Sequence, residues 1–182
     1  MVAVTRLLPF IATILLTSTN ALAQTLVAAQ PARGGFTFLV NLGVGVQRDS
    51  GFENTAVGWA GLNIGVGGFL NEKMAALFRT SGTNVVHSVG GLGEARQTSG
   101  VAAGSLQYWI SDRFTIEGGL GLGFWRIEDE TERGLGAIVG AGAVLLNRGR
   151  HNVLANVEYV PAFTDPAAVH NLGFTIGYQY HR

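Results

Sequence analysis

From Phe36 onward, bulky apolar residues recur at every second position, the period of a pleated strand whose side chains leave alternate faces. Eight such stretches are present. The first sets Phe36, Phe38, Val40, Leu42, Val44 and Val46 against Thr37, Asn41, Gly43, Gly45 and Gln47. The second sets Ala60, Leu62, Ile64 and Val66 against Gly61, Asn63, Gly65 and Gly67, and the third Met74, Ala76, Phe78 and Thr80 against Ala75, Leu77 and Arg79. The fourth has Leu106, Tyr108 and Ile110 opposite Ser105 and Gln107. In the fifth, Phe114, Ile116, Leu120, Leu122 and Phe124 oppose Thr115, Glu117, Gly119, Gly121 and Gly123. The sixth has Ala137, Val139, Ala141, Ala143 and Leu145 against Gly136, Gly140 and Gly142, with Ile138 and Val144 blurring the alternation. The seventh sets Val153, Ala155, Val157 and Tyr159 against Asn156 and Glu158, and the last Leu172, Phe174, Ile176, Tyr178 and Tyr180 against Gly173, Thr175, Gly177 and Gln179.

The connections alternate too. Leu70–Lys73, Ser111–Arg113 and Asn147–Asn152 are tight, whereas Arg48–Thr55, Gly82–Thr98, Ile127–Gly134 and Pro161–His170 are mostly longer and more polar. Short turns at one end and longer loops at the other predict an up-and-down β-barrel of the outer-membrane kind, with both termini on the periplasmic side.

Composition decides which face is outside. Only 13% of the 182 residues are charged and 27 are glycine, against about 25% and about 7% in ordinary domains. A water-exposed barrel exterior needs many charges. Here the non-apolar parity is mostly Gly, Thr, Asn, Gln and Ser, and its clear charges are Arg79, Glu117 and Glu158. That face suits a narrow interior, so the bulky face is expected to meet lipid. The other charges fall at the ends: Glu72, Lys73, Asp112, Arg113, Arg148 and Arg150 in turns, and Glu128–Arg133 in a loop. Backbone polarity in lipid then requires the sheet to close. Aromatic girdles are expected from Tyr108, Trp109, Phe114, Tyr178 and Tyr180 at the turn end, and from Phe78, Phe124, Trp125 and Tyr159 at the loop end. Trp59, Trp109 and Trp125 fall on the inward parity, so they join a girdle only where a bulge shifts the register.

Residues 1–23 read as a cleavable signal peptide: Arg6, then the apolar run Leu7–Leu16, then Ala21-Leu22-Ala23 as cleavage site. Residues 24–35 form a short N-terminal periplasmic extension, and 36–182 the barrel. The absence of cysteine fits export without disulfides and leaves no thiol or Cys-zinc chemistry. Twelve basic against twelve acidic residues provide no basic footprint for nucleic acid.

Segments such as FLVNLGVGV (38–46), LNIGVGGFL (62–70), LQYWISDRFTIEGGLGLGFW (106–125) and LGFTIGYQY (172–180) make the chain resemble the small eight-stranded outer-membrane barrels, the OmpA/OmpX/OmpW-like group of bacterial envelope proteins. The resemblance implies an all-β, eight-stranded antiparallel transmembrane barrel in the bacterial outer membrane. It also implies an assembly signal in the last strand, read by the outer-membrane assembly machinery. That signal usually ends in an aromatic residue; here Tyr180 supplies it, and His181 and Arg182 overhang.

The inward polar set Arg79, Glu117, Glu158, Gln107, Asn41, Asn63 and Asn156 is expected to form a lumen network, because a charge confined there must be paired or solvated. His87, His151, His170 and His181 lack metal-ligand spacing and read as solvated residues in turns, loops or the terminus. No catalytic, cofactor or metal residues are assigned. His87-Ser88 raises a lipid hydrolase, but adjacency is no substitute for a nucleophile and base that meet in space. The glycines of Gly119–Gly123 alternate within a strand and do not make a phosphate loop. The loops Gly82–Thr98 and Glu128–Arg133 are candidate binding surfaces.

Three readings follow. The first is a non-enzymatic outer-membrane barrel, monomeric, with a structural, envelope-stabilising or surface-interaction role. The second is a narrow channel or carrier for small or hydrophobic solutes, since an eight-stranded barrel is either filled or holds one small ligand. The third is a membrane-embedded lipid-modifying enzyme.

Overall fold

The computed structural model describes residues 33–50, 55–89, 93–128, 130–165 and 168–182, with the side chains of 87–89 and 93–94 outside that description. They belong to the compact unit Pro31–Arg182; the other unit, Met1–Gln30, lies outside the described residues, and with it the expected signal peptide and most of the expected 24–35 extension.

Nine strands form one antiparallel sheet: β1 (Phe36–Asp49), β2 (Thr55–Trp59), β3 (Asn63–Asn71), β4 (Met74–Val89), β5 (Gly93–Trp109), β6 (Phe114–Ile127), β7 (Glu130–Arg148), β8 (His151–Phe163) and β9 (Ala168–His181). From β3 to β9 each strand pairs with the next, β2 and β3 both lie between β1 and β4, and β1 pairs with β9 from Thr37↔His181 to Asp49↔Val169, so the sheet closes. The count of nine and the expected eight describe the same wall. β2 and β3 are two halves of one stave, both paired to β1. Between Val44↔Trp59 and Asn41↔Asn63, two residues of β1 face three, Ala60, Gly61 and Leu62. The extra residue is a bulge, and the Ala60 N–H still bonds the Gly43 carbonyl at 3.0 Å.

The bulge changes the parity of the loop-side half. Ala60, expected on the apolar outer face, is buried, whereas Trp59 is 56% exposed on the outer wall. Elsewhere the alternation holds: Thr37, Asn41, Asn63, Arg79, Gln107, Thr115, Glu158, Thr175 and Gln179 are buried, while Leu42, Val44, Leu120, Leu122, Val139, Phe174 and Ile176 are exposed. The barrel is thus polar inside and apolar outside. On β9 the apolar outer run is bounded by His170 and Tyr180. At about 3.4 Å per residue and the ~40° tilt usual for such barrels, that stretch covers roughly 25 Å, the height of an outer-membrane apolar band.

The long connections are shorter than expected. The segment Gly82–Thr98 is mostly a hairpin, with β4 and β5 paired from Met74↔Tyr108 to Val89↔Gly93. Likewise β7 begins at Glu130, β8 runs to Phe163 and β9 begins at Ala168. Backbone pairing continues here after the outward side chains have turned polar, as at Asn84, Arg96 and Thr98, so the apolar pattern stops before the strand does. At the other end the turns are tight. Asn71 Oδ1 accepts from the Lys73 N–H (2.9 Å), Ser111 Oγ from Arg113 (3.2 Å) and Asn147 Oδ1 from Gly149 (3.1 Å). These are side-chain-closed turns, and Gly149 (φ +66°) supplies the left-handed residue that an L side chain resists.

Candidate functional site

The lumen is filled in layers. Its centre is built by β1, β3, β4, β5, β6 and β8, whose inward residues at one level carry the interior charges. Arg79 reaches from β4 between two carboxylates: Nη1 donates to Glu117 Oε2, and Nη2 donates to Glu158 Oε1 at 2.6 Å. Glu158 also accepts from Asn41 Nδ2 (2.9 Å), Asn63 Nδ2 (3.2 Å) and Ser81 Oγ (2.6 Å). Glu117 accepts from Ser105 Oγ at 2.6 Å. Asn156 Nδ2 donates to Asn41 Oδ1 at 3.4 Å, and Asn63 Oδ1 accepts from the Gly82 N–H at 3.1 Å. One guanidinium thus serves two carboxylates, and small polar donors complete their acceptor sites, as a charge out of water requires.

Six of the seven inward residues singled out in the sequence meet in this cluster. Gln107 lines the same space but bonds a layer below, where Gln179 Nε2 donates to Gln107 Oε1 (2.7 Å) and Thr37 Oγ1 (3.1 Å). Ser81, Ser105, Gln179 and Thr37 complete the two layers. They share the inward parity, but neutral residues carry no charge to mark them, and Ser81 stands just past the last residue of the third apolar alternation.

Other layers close the two ends. On the loop side, Val101, Ala103, Ile138, Val160 and Ala162 form a buried apolar cluster. Above it Ser99 Oγ bonds Gln47 Oε1 (3.2 Å) and Asn171 Oδ1 (2.8 Å). On the turn side Leu39, Ala75 and Leu77 pack together, and the fully buried Trp109 lies under the Arg33 guanidinium, 3.9 Å from its ring centroid. Trp109 therefore plugs the lumen and takes no part in a girdle.

Glycine does not leave a hole. A Cβ at Gly65 would come within 2.5 Å of Arg79 Cδ, and one at Gly142 within 2.6 Å of both Asn156 Oδ1 and Thr115 Oγ1. A Cβ at Gly177 would fall on Asn41. At these three glycines the interior side chains occupy the space that a Cβ would need, whereas at Gly43, Gly67 and Gly121 it is the backbone of the next strand that does. What remains beside Arg79, Glu117 and Glu158 is a void of about 10 Å³, about one water.

All four histidines lie in strands, and His151, His170 and His181 are partnered rather than merely solvated. His170 Nδ1 bonds Tyr159 Oη at 2.7 Å near the loop end, and His151 Nδ1 bonds Tyr178 Oη at 2.6 Å near the turn end. His181 is buried beside Asn152 (3.2 Å). His87 and Ser88 are consecutive in β4, and their side chains lie outside the described residues. The outer wall holds an open hollow of about 650 Å³ where the small Gly118 and Ala141 are ringed by Leu106, Tyr108, Ile116, Val157 and Tyr159.

No protein-family model and no curated protein matches the chain in sequence. Its neighbours among solved structures are small outer-membrane β-barrel proteins, and its fold is theirs. Ail, the attachment invasion locus protein of Yersinia pestis, solved in complex with the heparin analogue sucrose octasulfate, superposes with a TM-score of 0.58, covering 81% of this chain and 99% of its own. Neisserial surface protein A superposes with a TM-score of 0.56, covering 81% and 97%. Each is 14% identical to this chain, a likeness of fold.

Proposed function

We propose that this chain is a non-conducting barrel of the bacterial outer membrane, a rigid monomeric scaffold that acts through its rims and outer wall rather than through its lumen. On this reading residues 1–23 direct export, both termini are periplasmic, and the last strand is the handle for the assembly machinery. Lipid is the partner of the outer wall, and the protein is not an enzyme. The observation that carries the reading is the filled lumen: charged, amide and apolar layers that leave about 10 Å³ beside the central arginine. Planar-bilayer recording tests it. No reproducible single-channel steps are expected from the folded protein, and stable steps that a bulky residue at Gly65 abolishes would favour a channel instead.

The rim chemistry also bears on the partner class. Glu128, Glu130 and Glu132 are exposed near the loop end, beside Arg126 and Arg133. An acidic hairpin tip repels polyanions. Binding of a heparin-like ligand, the kind of ligand with which Ail was solved, is therefore not expected at this hairpin.

A second reading, a carrier for hydrophobic solutes, is favoured by the hollow over Gly118. A Cβ at Gly118 meets nothing within 4 Å, so Gly118→Leu would fill the hollow without disturbing the wall. Loss of uptake of an apolar solute in that variant, with the barrel still folded, would support the carrier.

A further inference from the structure

We propose that the turn end of the barrel is a docking rim for the headgroups of anionic phospholipids. This rests on the membrane reading above and adds which lipid the barrel selects. The formal net charge of zero conceals a separation along the barrel axis. At the turn end Lys73, Arg113, Arg148, Arg150 and Arg182 are exposed, and none of them forms an ion pair among the described residues. The acids at this end are Glu72 and Asp112, and Asp112 is already held by Arg33 at 2.8 Å. At the opposite end the described cations Arg48, Arg96, Arg126 and Arg133 are offset by Asp49, Glu128, Glu130, Glu132 and Asp165.

Backbone bonds set these cations in sequence round the rim. The Lys73 carbonyl accepts from Trp109 N–H (2.7 Å), so the β3–β4 turn abuts the start of the β5–β6 turn. The Arg113 carbonyl accepts from Val144 N–H (2.8 Å), joining that turn to β7. The Arg150 carbonyl accepts from His181 N–H (3.0 Å), setting Arg150 beside the residue that precedes Arg182. Just inward on the outer wall, His151 packs against Tyr178 and Tyr180, with ring centroids 5.9 and 5.4 Å apart. Tyrosines of this kind settle at headgroup level. The cations beyond them therefore stand at phosphate depth, where a guanidinium matches a phosphate bidentately. A zwitterionic headgroup brings its own cation into that rim; an anionic one does not.

The test is native mass spectrometry of the full protein released from nanodiscs of equal parts phosphatidylglycerol and phosphatidylcholine. Retained phosphatidylglycerol is expected to exceed phosphatidylcholine by about five-fold or more at low salt, since each cation near an anionic surface adds to the attraction. The preference is expected to vanish in R148Q/R150Q/R182Q, to fade in about 0.5 M salt, and to persist in the loop-end variant R126Q/R133Q. K73Q/R113Q, on different turns, weakens it independently should the triple variant not fold. Equal retention by the unaltered protein, or a preference that survives both rim variants, overturns the proposal. A heat-dependent mobility shift after insertion into pure phosphatidylcholine vesicles is read alongside. A protein that never inserts refutes the membrane reading itself; one that inserts without preferring phosphatidylglycerol refutes only the rim.

Discussion

Arg79 is buried between two carboxylates, and its removal strands both. Arg79→Gln is expected to cost about 3–5 kcal/mol, the usual effect of breaking a buried ion pair from one side. Urea unfolding of the vesicle-embedded protein would measure it. Glu117→Gln should cost far less than Glu158→Gln. Glu117 accepts from two side chains and Glu158 from four, and losing one carboxylate leaves the cluster with one charge of each sign. The inverse experiment adds bulk: Gly142→Val meets Asn156 and Thr115 and is expected to destabilise by about 1–3 kcal/mol, as overpacking does. Arg79, Glu117 and Glu158 were legible in the sequence because each is a charge on a parity otherwise given to glycine and small polar residues. Of their hydroxyl partners, Ser105 stood on the inner parity but carried no charge to mark it, and Ser81 was not placed at all, since a serine reads alike in a lumen, a turn or a loop. Trp59 was legible only conditionally, because its side depends on one extra residue between Leu42-Gly43 and Ala60–Leu62 that has no local signature.

At the scale of the element, the β7–β8 seam carries an interruption of its own. The two strands pair at Gly136↔Ala162 and again at Val139↔Tyr159, but not at the two steps between. Pro161 lies there and has no N–H to give. Asn171, from the next strand, donates its Nδ2 to the buried Val160 carbonyl at 3.0 Å and so ties the strand beside the proline to β9. Asn171→Leu removes that donor and a partner of Ser99, and is expected to cost about 1–3 kcal/mol, the penalty of an unsatisfied buried group. Strand identity was legible from the apolar alternation. Strand length was not, because the β4–β5 hairpin persists by backbone pairing where its outward residues are already polar. The proline break was equally silent, since Pro161 stood where the apolar pattern had ended.

For the whole molecule, the closed ring and inside-out polarity followed from composition and parity together, neither being sufficient alone. Few charges pointed to a hidden surface, and the small polar parity showed which surface was interior. How tightly that interior is filled could not be read, because it depends on which neighbours each glycine faces across the barrel. A barrel held by a closed ladder should resist detergent and migrate faster before boiling than after; identical mobility would count against closure.

The tight packing of the charged layer has a mechanical consequence. Hydrostatic pressure unfolds proteins largely by eliminating their internal voids, and the void of about 10 Å³ beside Arg79 offers it almost no volume to gain. This layer should therefore contribute little to the unfolding volume, whose usual magnitude is about 20–100 mL/mol. Truncating Arg79 to alanine should create compressible space at its centre and raise that contribution.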